Sequence, residues 1–187
     1  MSVFEFLLAL YSIVAGLGMS LVVRSIGQLI EARGRVRHYW VHSCLVTVAF
    51  VAQVVSWFSL WQFSDHAPWT VADTLLMLII PLLLYLVGHL VVPEVKEEQS
   101  YDLRDYYYRH ARWTHGLLIA VVVVSLIGET VILGRFERSG PQLLRIVVGI
   151  VLLPGAITTH PGVHATQAVL LLLLMAVGLA FVSVPIG

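Results

Sequence analysis

Six stretches of this chain come close to the roughly 20 predominantly apolar residues that a helix needs to cross the hydrocarbon layer of a bilayer. They run over 3–30, 40–63, 71–92, 113–133, 143–158 and 162–186. Composition agrees: 59% of the 187 residues are hydrophobic and 12% charged, against about 25% charged in an ordinary soluble domain. The pattern predicts an all-α, polytopic transmembrane bundle of about six spans, folded as a single integral-membrane domain over 1–187. It excludes a water-soluble globule and a disordered chain. The fifth stretch is the weakest, because Arg145 lies near its start and Pro154-Gly155 interrupts its end. The count is therefore five to six, with 143–158 either spanning or re-entrant.

Charge placement orients the chain. Arg33, Arg35 and Arg37 follow the first span, and Lys96, Arg104, Arg109 and Arg112 follow the third, whereas Arg135 and Arg138 lie on the opposite side. Short loops rich in Lys and Arg stay in the cytoplasm. This places 31–39 and 94–112 inside and both termini outside, in a bacterial-type inner membrane. The first stretch lacks a basic leader and a small-residue cleavage site, so it is expected to be a retained span. Trp40, Trp57, Trp61, Trp69 and Trp113 fall near span ends, where indoles favour the interface. The segment 101–112, dense in tyrosine and both charges, reads as a short interfacial cytoplasmic helix. Eleven basic residues balance eleven acidic ones, so nothing points to nucleic acid. The lone Cys44 has no intrachain partner.

Polar groups within a span must face protein or water. In the first span Ser12, Gly16, Ser20 and Arg24 recur every four residues, which reads either as a packing seam or as the lining of a path. Gln53 lies near the middle of the second span, and Glu129 is the one carboxylate deep in a predicted span. An ionisable residue there is by default a functional-site candidate, and snorkelling to the nearby outer end or pairing with Arg145 or Arg135 accounts for it equally well.

Seven of the eight histidines fall on one side. All except His66 map to the expected cytoplasmic ends of spans or to the loops between them. His42, His89, His115 and His164 sit within about two turns of that boundary on four different helices. Three readings compete for this layer: interfacial anchors, ligands for a metal or haem, and a titratable constriction. The leading functional expectation is a subunit of a homo-oligomeric channel or small transporter for a small ion or small molecule. Its candidate path residues are Ser12, Gly16, Ser20, Arg24, Gln53, His89 and Glu129. The alternative is a histidine-ligated metalloenzyme or haem protein using His42, His89, His115 and His164. A third is a non-catalytic scaffold that binds partners through the tyrosines of 101–108. No phosphate-binding loop, nucleophile triad or Cys-x-x-Cys is present, so no enzyme reaction is specified and no cofactor is expected under the leading reading.

Overall fold

The computed structural model describes residues 2–95, 100–134 and 139–182. Six helices account for most of these residues: α1 (Val3–Glu31), α2 (Trp40–Phe58), α3 (Val71–Val91), α4 (Leu103–Leu133), α5 (Gly140–Ile157) and α6 (Pro161–Val182). A 3-10 turn, Ser59–Phe63, extends α2. All six helices are long and apolar enough to cross a membrane, so the chain is a multi-pass membrane protein. The fifth stretch is a continuous helix, with Pro154 in its last turn. Lys96, Arg135, Arg138 and the end of the 162–186 stretch lie outside the described residues.

Local chemistry sets the boundaries. Ser2 with Glu5, and Thr70 with Asp73, form reciprocal capping boxes at the starts of α1 and α3. Asp102 and Ser139 cap α4 and α5 by accepting from backbone amides. Each cap satisfies N–H groups that a helix start leaves without a partner.

The helix expected near 101–112 is present and runs without a break into the fourth span. At 1.5 Å per residue, the 29 residues of α1 and the 31 of α4 reach about 45 Å, well beyond the ~30 Å hydrocarbon layer. Their projecting ends are tied together outside it. Strand β1 (Val36–Arg37) pairs in parallel with β2 (Tyr101–Asp102), and Arg37 donates to Asp102 at 3.2 Å. This end of the bundle also holds most of the histidines and is the histidine end. The opposite one is the termini end.

Packing order determines where space remains. Helix α2 contacts α6, α6 contacts α5, α5 contacts α4, α4 contacts α3, and α3 returns to α2. Five helices at the usual 8–10 Å separation hold their axes roughly 8 Å from a common centre, more than side chains fill completely. Helix α1 stays outside this ring and packs against α3 and α2. Its buried face is Phe4, Leu7, Tyr11, Ala15, Gly18 and Val22. Gly18 allows the close approach: a Cβ there would stand 2.4 Å from Gln53 Oε1.

Candidate functional site

The ring encloses a cavity of about 140 Å³ that all six helices line. Its walls are mostly apolar, with Ala52, Met77, Ile80, Val121, Val148 and Met175 prominent. Its few polar groups are Ser56, Ser59, Gln62, Ser125, Arg145 and Tyr11, which reaches in from α1. The three serine hydroxyls donate to carbonyls of their own helices, namely Gln53, Val55 and Val122. The Tyr11 hydroxyl is buried with no hydrogen-bond partner.

Toward the termini end, Arg145 is held by Glu129, which is 6% exposed. Gln142 Nε2 donates to the other Glu129 oxygen at 3.0 Å. A carboxylate at this depth needs such a counter-ion and a second donor. Glu129 is thus the edge of an ion-paired cluster between α4 and α5, with Arg145 turned to the cavity.

Val48, Leu118 and Leu152 close the cavity toward the histidine end. One turn below Leu118, and also against Val48, lies a second void of about 10 Å³ lined by Tyr107, His115, His164 and Gln167. Its histidines hold fixed tautomers, because a carbonyl can only accept. His115 Nδ1 donates to Ala111 O at 2.7 Å. His164 Nε2 donates to Thr158 O at 2.7 Å, so its Nδ1 accepts from the Tyr107 hydroxyl, also at 2.7 Å. The two rings are 5.6 Å apart. Gln167 Nε2 donates to Val151 O at 2.7 Å, and its Oε1 is buried without a partner. A Cβ on Gly155 would fall 2.5 Å from both His115 Nε2 and Gln167 Oε1, so this position must remain glycine for the cluster to close. Just outside the span, Tyr39 bonds the Tyr108 hydroxyl at 3.0 Å. Desolvation, and then the Tyr108 hydroxyl itself, hold its phenol above the ordinary value, so it is protonated at neutral pH.

The structure brings together only part of the expected histidine layer. His115 and His164 meet, but His42 lies at the α2–α3 seam, donating to Val91 O at 2.7 Å and closing the end of α3. His89 is exposed. Among the described residues no group of three or more His, Cys, Asp or Glu is placed to hold a metal ion. Both ring nitrogens of His164 and one of His115 are engaged in hydrogen bonds.

The first-span stripe points away from the ring. Gly16, Ser20 and Arg24 are exposed, and Ser12 is half-buried, accepting from Trp57 Nε1 at 2.8 Å. Gln53 is buried between α1, α2 and α3 with neither amide atom bonded. The tyrosine hydroxyls of 101–108 are used within the fold: Tyr106 donates to Leu90 O and Tyr101 to Glu94 O. Sequence reasoning missed Tyr107, Gln142, Gly155 and Gln167. The two glutamines carried the same signal that drew attention to Gln53, an amide in or beside an apolar stretch. Comparison with known proteins yields no relative: no family model matches the sequence, and no curated protein or solved structure matches the chain.

Proposed function

We propose that the protein is a small transporter or channel whose path runs through its own helix ring. The cavity forms the middle of the path, and the layer of His115, His164 and Gln167 forms its constriction. The observation carrying this reading is the cavity itself, lined by every helix and followed toward the histidine end by a smaller void that His115, His164 and Gln167 help to line. Cavities of about this size accommodate a molecule such as benzene, so the permeant is a small ion or a compact solute of about six non-hydrogen atoms. The apolar middle acts as a dewetted barrier, and the polar groups at either end receive the permeant. In this reading the chain works as one domain in a bacterial-type inner membrane, termini outward and histidine end in the cytoplasm, following the positive loops. The outward Gly16 and Ser20 then serve contact between copies in a homo-oligomer.

The test is flux into proteoliposomes, reading protons with entrapped pyranine and glycerol by light scattering. At least one should exceed protein-free vesicles. Filling the cavity with Val148→Trp or Leu118→Trp should reduce it at least tenfold in folded protein, whereas Ser20→Leu, Arg24→Ala and His89→Ala combined should leave it intact. Neither probe moving, or flux indifferent to the filled cavity, would refute the reading. Loss only in the triple variant would place the path between copies, along the α1 stripe.

A further inference from the structure

The void beside His115 contains an unresolved polar conflict. Because Nδ1 carries the proton given to Ala111 O, Nε2 of neutral His115 presents a lone pair. Gln167 cannot reverse its amide, since its oxygen would then face Val151 O at 2.7 Å. Its Oε1, in a side chain 3% exposed, therefore also presents lone pairs and has no donor. Both atoms stand 2.5 Å from the Cβ position of Gly155, hence no more than twice that apart. A buried acceptor without a donor, set this close to the Nε2 lone pair of His115, is an arrangement that proteins seldom leave unsatisfied.

We propose that His115 Nε2 and Gln167 Oε1 form a buried proton-binding site, occupied in its neutral state by one water molecule. The void of about 10 Å³ is at the lower limit for a single water. That water donates one hydrogen to Nε2 and the other to Oε1, satisfying both. When a proton arrives from solvent, it bonds to Nε2; the ring becomes imidazolium and donates Nε2–H toward Oε1, and the water is no longer needed as donor. No electrons move, and the return step releases the same proton.

Few other charges face the site. From α6 it meets His164, whose acceptor nitrogen is taken by Tyr107 of α4. From α2 it meets Val41, Leu45 and Val48, and from α5 Val151 and Gly155. Among the described residues no carboxylate lines the void, so Gln167 Oε1 is the acceptor that faces a protonated Nε2. The site coincides with the constriction proposed above, but it follows from hydrogen-bond accounting alone and its test involves no flux.

Nitrogen-15 spectra of histidine-labelled protein in nanodiscs, with the His115 signal assigned by its loss in His115→Gln, read the site directly. At neutral pH His115 should show protonated Nδ1 and a hydrogen-bonded, unprotonated Nε2. Acidification should convert it to imidazolium. Gln167→Glu should move the midpoint up by more than one pH unit, and Gln167→Met should move it down. An Nε2–H tautomer in the unaltered protein overturns the proposal and needs no variant. A midpoint unmoved by either substitution in folded protein also overturns it.

Discussion

Replacing Gly155 by alanine adds one methyl group where there is no space for it. The new Cβ would lie 2.3 Å from His115 Cδ2 and 2.5 Å from both His115 Nε2 and Gln167 Oε1. Neither neighbour can simply swing away, because His115 is held by Ala111 O and Gln167 by Val151 O, each at 2.7 Å. Overpacking of this kind costs about 1–3 kcal/mol, and each buried hydrogen bond broken to relieve it costs about 1–3 more. The expected loss is about 3–5 kcal/mol. Gly116→Ala, on α4 and with nothing within 4 Å of its Cβ position, is the matched control. There alanine gains about 0.5–1 kcal/mol from helix propensity. Cys44, the lone cysteine and half-buried in α2, makes the readout simple: a thiol-reactive dye reports unfolding as temperature rises. At roughly 2–4 °C per kcal/mol for a chain of this size, Gly155→Ala should melt about 6–20 °C below the unaltered protein, and Gly116→Ala at or above it. Equal melting of the two variants would refute the close-packed His115–Gln167 cluster.

The Glu129 cluster should behave as a buried pair. Glu129→Leu alone leaves Arg145 uncompensated and should cost about 3–5 kcal/mol, while Glu129→Leu with Arg145→Leu should recover most of it. The same dye assay checks this, and a double variant no better than the single contradicts the pairing. At the start of α4, slight desolvation would raise the Asp102 carboxyl. The amides of Asp105 and Arg104 and the Arg37 guanidinium outweigh it and hold the group below its usual value. A carboxyl lowered on folding contributes stability above its unfolded value and loses it as pH falls through the lowered one. The cap and its tie to Arg37 should therefore loosen only below about pH 4, seen as a titration of the Arg104 and Asp105 amide shifts. Asp102→Asn should remove that titration while keeping the helix start.

Depth along the bilayer was legible in the sequence; direction around each helix was not. The positions of Trp40, Val71 and Leu133 as boundaries follow from run lengths and caps, and the sequence placed His115 and His164 at one level. Yet His89, at a similar depth, faces outward, and His42 turns to α3 rather than to His115. In water a polar stripe contrasts with an apolar face, but lipid is as apolar as the protein core, so hydropathy carries no azimuth. The α1 stripe illustrates this. Its four-residue step drifts about 40° per repeat on a helix of 3.6 residues per turn, and the face that packs is Tyr11, Ala15, Gly18 and Val22 instead. The Tyr107–His164 bond joins residues 57 apart, and no local pattern encodes that distance. Gln142 and Gln167 were accessible to reasoning, because an amide in an apolar span requires a partner wherever it faces.

The position of α1 has a consequence for biogenesis. It is made before α2 and α3, yet the surface it packs on is built by those two together, so it can dock only once both have been inserted. The β1–β2 pairing then delays completion further, since Val36 and Arg37 find their partners only when Tyr101 and Asp102 have been made. Helix α1 thus reaches its final place only after the two helices that follow it in the chain.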